Sequence, residues 1–481
     1  MTHTHVAGAI HGDVTTRGPV WLQPPSDVNQ LVDHLWSSEV TKTADGELSV
    51  AGVTVSDLAA RVGTPALVVD EADLRSRARS FVDAFTGWDV FYAGKSFLSV
   101  AIATWVADEG LFLDVCSGGE LAVALRAGVD PLKIGMHGNN KSDEELHQAL
   151  DAGVGRLIVD SADEIERLSV IAAERDARPG VLVRVTAGVE AHTHEYIATA
   201  REDQKFGIPI TGGAALAALL RCHNDEHLNL LGIHSHIGSQ IFDAEGFDVA
   251  GRRTLRLHAQ FAEQTGYEMP EFDMGGGFGI AYTTQDSPAT PYELAEQMRH
   301  IVESECTSLG VAVPRVSIEP GRAISGPAAF MLYRVGTVKT VPLDGGQARV
   351  YIAVDGGMSD NIRTALYGAE YSATLANRRS SAPPVLSRVV GKHCESGDIV
   401  VRDEFLPADV RRGDLIAVPA SGAYSRSMAS NYNHVPRPPV VSVADGKISM
   451  LLRRETVEDL LSHDVGQVPW GTEDGPELPG R

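Results

Sequence analysis

Lys95 ends the apolar run FYAGKSFL at residues 91–98, and a lysine at the close of a buried strand needs a reason. Its amine arrives charged, with an unperturbed pKa of about 10.4, unless its surroundings push the proton off. Two readings stand. On a surface loop it is an ordinary solvated lysine; deprotonated, it is a Schiff-base nucleophile for an aldehyde. A phosphate-binding P-loop fails, because that motif needs a glycine at position 89, where Asp89 stands.

Other segments carry chemistry of comparable ambiguity. DMGGGFGI sets Gly275, Gly276 and Gly277 directly after a strand, which is either a plain turn or a nest of uncovered amide donors for an anion. A dinucleotide fingerprint would need glycine where Ile280 sits. SIEPGRAISG places Glu319, Gly321 and Arg322 at another strand end, readable as a surface ion pair or as one fixed anion and one fixed cation. GIHSHIGSQ puts His234 and His236 two apart on a strand, hence on one face, as a zinc-binding barrel hydrolase arranges a ligand pair. Such hydrolases carry that pair on the first strand, whereas this one falls late, with no further ligand set. The HTHE segment at His192 to Glu195 reads as a loop. In LDVCSGGEL, Asp114 precedes Ser117 and Glu120, which have capping-box spacing.

These residues have to be positioned, and residues 65 to 321 supply the means. The runs PALVVD, DVFYAGK, FLDVCS, LKIGMHG, RLIVD, VLVRVT, LLGIHSHIG, FDMGGG and RVSIEPG alternate with segments of helical period. Ser142 with Glu145 and Ser161 with Glu164 mark helix starts. About eight such units over about 250 residues predict an α/β fold of the (β/α)8 TIM-barrel type rather than an open sheet. Barrel enzymes keep their chemistry at the C-terminal strand ends, where Lys95 falls. After residue 330 strands follow one another across turns with almost no helix, which predicts a C-terminal all-β domain, barrel or sandwich. The chain thus divides into a flexible extension (1–25), a segment whose GELSVAGVTV run pairs into the β domain (26–64), the barrel (65–330), the β domain (331–465) and a flexible tail (466–481).

Composition narrows the function classes. The chain has 481 residues, 43% of them hydrophobic, enough for two folded domains. A net charge of −23, from 64 acidic and 41 basic residues, disfavours nucleic acid and anionic membranes as partners. No run approaches the roughly 18 apolar residues of a membrane span, and the start lacks a signal-peptide pattern, so a cytoplasmic location is expected. Cys116, Cys222, Cys306 and Cys394 are scattered without a CxxC pair, so neither a disulfide framework nor a zinc ribbon is encoded.

In combination, FYAGKSFL, DVCSGGEL, HGNNKS, HSHIGSQ, DMGGGFG, EPGR, DGGMSDNIRTALYGAEY, GKHCESGD and GAYSRSMASNYN resemble the pyridoxal-phosphate-dependent amino-acid decarboxylases with an alanine-racemase-like barrel. Among these the chain is most similar to the diaminopimelate decarboxylases, in unbroken motif order over roughly residues 45 to 460. The resemblance implies pyridoxal 5'-phosphate as cofactor and no metal, with Lys95 as its covalent attachment point. It implies that His236 stacks on the pyridine ring, that Asp114 belongs to the cofactor site, and that Ser239, Gly276, Gly277, Gly321, Arg322 and Tyr424 hold the phosphate. Glu319 would face the pyridine nitrogen and keep it protonated, strengthening the ring as an electron sink; racemases of this fold place arginine there.

The same resemblance implies that Cys394 protonates the carbon that has lost carbon dioxide, and that its loop reaches the active site of the neighbouring subunit in an obligate homodimer. The bland alternative for Cys394 is a small buried hydrophobe. Arg322, Arg363, Tyr367 and Tyr424 match the family's substrate-carboxylate residues, and Glu395 its ammonium ligand, so the implied reaction is meso-2,6-diaminopimelate to L-lysine and carbon dioxide, the last step of lysine biosynthesis. The alternatives are an arginine, ornithine or carboxynorspermidine decarboxylase of the same fold, and a catalytically dead relative. Ser96 and Ala187 stand where related sequences often have alanine and proline, neither at the expected chemistry.

Overall fold

The computed structural model describes residues 18–188, 205–343 and 348–467. The HTHE segment, most of the N-terminal extension and nearly all of the tail lie outside the described residues. Eight parallel strands close on themselves: β1 (Asp89–Ala93), β2 (Phe112–Val115), β3 (Ile134–Met136), β4 (Arg156–Val159), β5 (Gly180–Thr186), β6 (Asn229–Ser235), β7 (Glu271–Asp273) and β8 (Arg315–Ile318). Closure comes from β8 pairing with β1, and β4 with β5. The strands are continuous apolar runs because helices cover the barrel outside and side chains fill it inside.

Local chemistry sets the helix ends. Asp143–Ala152 starts on the full Ser142/Glu145 capping box and stops at Gly153, whose φ of 73° is left-handed. Ser117 and Ser161 cap their helices, but Glu120 reaches back to the Cys116 amide and Glu164 to Lys141 and the Asp160 amide. Glu164 is thereby spent on a buried cation rather than on its own cap.

The second sheet runs in the order Ile399–Pro407, Pro384–Val390, Ala348–Val354, Ala329–Pro342, Ala66–Asp70, Val440–Ala444, Lys447–Leu452. This corrects one expectation. The PALVVD run, read as a barrel strand, instead lies between Ala329–Pro342 and Val440–Ala444. A strand buried on both faces has the same apolar signature in either sheet. The expected pairing of GELSVAGVTV is also adjusted: Leu48–Val50 and Val53–Thr54 form a small sheet with Val40–Lys42. That separate sheet packs Leu48, Val50 and Val53 against Phe330, Leu332, Val441 and Val443 of the β domain, and is tied to it by the Leu48 amide donating to the Ala376 carbonyl at 2.7 Å and the Gly446 amide donating to the Ala51 carbonyl at 2.9 Å.

Candidate active site

The C-terminal strand ends converge. Lys95 sits in the single turn Gly94–Ser96 that follows β1, Asp114 lies in β2, His137 follows β3, and His234 and His236 fall at the end of β6. Gly275, Gly276 and Gly277 follow β7, and Glu319, Gly321 and Arg322 follow β8. Lys95 corrects the premise that its amine is hidden: the residue is exposed, and it lines two cavities of about 210 and 180 Å³. They share Ala93, Lys95, His236 and Glu319. A larger cavity of about 510 Å³, beside the helix Pro291–Leu309, contains none of the residues singled out from the sequence.

The turn that presents Lys95 is stapled from two sides. Ser96, fully buried, shares its one hydroxyl proton between the Ala93 carbonyl at 3.0 Å and the Tyr92 hydroxyl at 3.1 Å, and accepts from Ser325 at 3.2 Å. Its carbonyl accepts the Tyr424 amide at 2.7 Å and the Ser427 hydroxyl at 3.0 Å, both from the β domain. The serine that departs from the family pattern is therefore part of the scaffold under the lysine.

Beneath the cavity lies a dense charged cluster. His137 Nε2 is 3.2 Å from both Asp114 Oδ1 and Glu319 Oε1, and His234 Nε2 is 3.0 Å from the same Glu319 oxygen. Burial favours the carboxylic acid of Glu319, but His137 and His234 outweigh it and hold the group well below the usual carboxylate range. His137 is opposed by burial and driven the other way by Glu319 and Asp114, up to about 10, so it is an imidazolium at neutral pH. Burial lowers His234 to about 4, leaving it neutral. Asp114 is pushed up to about 7, by burial first and then by the Glu319 charge. His236 is held well below its ordinary value by burial and the Lys95 and Arg184 charges; its neutral ring accepts the Gly276 amide on Nδ1 at 3.2 Å.

The zinc-pair reading of His234 and His236 does not survive. The strand ends at Ser235, and the two rings go separate ways, one to Glu319 and the other to Gly276. Among the described residues, the group with metal-ligand proximity is His137, His234 and Glu319, and His236 is not part of it.

At the other end of the cavity the chemistry changes sign. Arg322 donates from Nη1 to the Tyr282 hydroxyl at 2.6 Å and from Nη2 to Ser239 Oγ at 2.8 Å, and its guanidinium lies 4.6 Å from the Tyr424 ring centre. Arg363, on the short helix Arg363–Tyr367, donates to the Tyr371 hydroxyl at 2.7 Å. Tyr367 and Tyr424 complete the wall. Cys394 and Glu395 are not brought here: both are exposed on a loop held by His393 and Asn433, and neither lines the Lys95 cavities.

The residues fit pyridoxal phosphate. A Cβ at Gly276 would collide with the Glu319 carbonyl and one at Gly277, where φ is 110°, would lie 2.5 Å from the Gly238 carbonyl, so this wall must be bare backbone. Asp114 Oδ2 and Arg322 Nε are buried without a hydrogen-bond partner, consistent with polar groups that a ligand satisfies. Sequence reasoning missed His137, Arg184, Tyr282 and Tyr371. His137 has a visible signal, its place directly after a barrel strand, and Tyr371 another, its place in the same motif as Arg363, whereas Tyr282 meets Arg322 only through the folded chain.

Residues 71–326 match the family model for the pyridoxal-dependent decarboxylase, pyridoxal binding domain. The chain is 49% identical over 470 residues to a diaminopimelate decarboxylase of Mycobacterium leprae, covering 96% of this chain and all of that one. It is 51% identical over 445 residues to the enzyme of that name from Mycobacterium tuberculosis strain H37Rv, covering 92% of this chain and 100% of its relative. A crystal structure of diaminopimelate decarboxylase from M. jannaschii with L-lysine superposes with a TM-score of 0.83 at 29% identity, over 90% of this chain and 98% of that one. Barrel, second sheet and sequence agree, and the chain belongs to the pyridoxal-dependent decarboxylase family, in its diaminopimelate decarboxylase branch.

Proposed function

We propose that this chain decarboxylates meso-2,6-diaminopimelate to L-lysine and carbon dioxide, the last step of lysine biosynthesis, with pyridoxal phosphate as cofactor. The observation that carries this reading is a single cavity lined at one end by Lys95 and Glu319 and at the other by Arg322, Arg363 and Tyr367. The first pair suits the cofactor, and the second suits a substrate with a carboxylate beyond its reacting centre. The M. jannaschii relative was solved with L-lysine, the expected product.

When bound, pyridoxal phosphate supplies the electron sink that accepts the pair left behind by the departing carboxylate. Lys95, which lines both cavities, would be the residue that holds the cofactor covalently. Glu319, kept anionic by His137, would hold a proton on the cofactor's ring nitrogen, and Asp114 shares the same histidine. The neutral ring of His236, which lines both cavities, would offer the cofactor a flat face to pack on. Ser239, Gly276, Gly277, Gly321, Arg322 and Tyr424 form the phosphate end. Arg322, Arg363, Tyr367 and Tyr424 would bind the substrate and fix its orientation in the cavity.

Cys394 and Glu395 enter as contributions of one protomer to the site of the other in a homodimer, the cysteine delivering a proton to carbon and the glutamate binding the distal ammonium. Their exposure away from the Lys95 cavities of their own chain supports this division. Among the described residues no helix is long and apolar enough to cross a membrane, and all four cysteines are unpaired, which suits the reducing cytoplasm. The test is carbon dioxide release with added cofactor from meso-diaminopimelate, arginine and ornithine. Turnover of the first with L-lysine as product is expected; faster turnover of either of the others would overturn the assignment.

A further inference from the structure

Arg322 and Arg363 are 7% and 4% exposed, and buried guanidiniums normally sit on carboxylates. Elsewhere this chain follows the rule: Arg349 meets Asp403 at 3.0 Å and Arg156 grips Glu271 with two hydrogen bonds of 2.8 Å. Around the cavity the partners are neutral hydroxyls, a phenol for each arginine and the Ser239 hydroxyl as well for Arg322. The Tyr282 hydroxyl accepts from Arg322, while the Tyr282 ring lies 4.6 Å from the guanidinium carbon of Arg363. Tyr371 accepts from Arg363 and packs edge-on against Tyr282, with ring centres 5.0 Å apart. One tyrosine therefore touches both cations, by its hydroxyl and by its face.

A carboxylate at this place would fix both guanidiniums but cancel their charge. A neutral hydroxyl and a π face fix them and leave the charge in force, at the cost of holding like charges near each other in a buried place. That cost is offset only when an anion enters. We propose that Tyr282, seconded by Tyr371, is a positioning residue that sets substrate class: it aligns Arg322 and Arg363 without neutralising them, so the pocket selects amino acids bearing a second carboxylate. This deepens the reading of the substrate given under Proposed function and rests on it.

The test uses the cofactor-loaded enzyme and its Tyr282→Phe variant, assayed with meso-diaminopimelate and with pimelate and hexanoate as competitive inhibitors. Loss of a hydrogen bond to a charged group corresponds to roughly 10-fold or more in affinity. The expected result is a KM for diaminopimelate raised about 10-fold, kcat within about 3-fold, and a similar collapse of the preference for pimelate over hexanoate. Retention of the cofactor, read from its absorbance after dialysis, should change less than KM, because Ser239 still holds Arg322. Unaltered KM and inhibitor preference would overturn the proposal, as would a defect confined to cofactor retention. Tyr371→Phe, which removes the hydrogen bond to Arg363, carries the same expectations if Tyr282→Phe does not fold. An unmodified enzyme that ignores diaminopimelate sinks the substrate reading, whereas the pimelate-to-hexanoate ratio still judges the tyrosines.

Discussion

The floor of the cavity and its far wall bury charge in opposite ways. On the floor, Glu319 and Asp114 surround the His137 imidazolium, so anions and cation largely cancel. On the wall, Arg322 and Arg363 rest on tyrosines and keep their charge. A group that stays through many turnovers can be met by a self-balanced cluster, while a charged visitor must find the complementary charge waiting. The resident and transient ends are thus distinguishable from their electrostatics alone.

Removing the residue that lines both cavities should have the largest effect. Lys95→Ala is expected to lower kcat by about 10⁴-fold or more and to abolish the absorbance of covalently held cofactor. Breaking the floor comes next. Glu319→Gln leaves His137 cationic with one anion fewer, and should cost about 10²–10³-fold in kcat together with a lower melting temperature, since removing one member of a buried ionic set costs about 3–5 kcal/mol. Breaking the wall should look different. Arg363→Met is expected to raise KM by roughly 10–100-fold while leaving the melting temperature unchanged or higher, because no partner carboxylate is stranded. Equal destabilisation by both variants would erase the contrast.

The smallest effect is a pH dependence confined to the floor. His137 titrates at about 10 in the folded chain against about 6.5 for a free histidine, so its contribution is whole below about 6.5 and drains away as pH rises toward 10. Asp114, raised to about 7 from 3.8, loses its share earlier, as pH climbs from about 4 to 7. Urea unfolding of the cofactor-free protein should therefore show falling stability between pH 6.5 and 10. His137→Gln should flatten that fall, and Arg363→Met should not.

The sequence discloses the barrel because periodicity is local: each strand and helix announces itself within a dozen residues. Lys95, Glu319, Arg322 and the glycine run are legible for the same reason, since they sit at strand ends where barrel chemistry belongs. Ala66–Asp70 is misread because membership of a sheet is decided by distant partners, here Ala329–Pro342 and Val440–Ala444. Tyr282 is invisible for a related reason, as it stands 40 residues from Arg322, whereas Tyr371 closes the same motif as Arg363 and only its contact with that arginine awaits the fold. Lys95 is exposed rather than buried because its turn opens into the cavities, which strand hydrophobicity alone cannot reveal.

The central place of Ala66–Asp70 in the second sheet has a consequence for synthesis. When a ribosome has delivered the whole barrel, this early strand still lacks both neighbours, and the last of them, Val440–Ala444, emerges only near the end of translation. The loop bearing Tyr424 and Ser427, which grips the Ser96 carbonyl, is equally late. A chain cut short by premature termination leaves its reactive lysine turn ungripped, so a truncated product reaches the cell without an assembled centre.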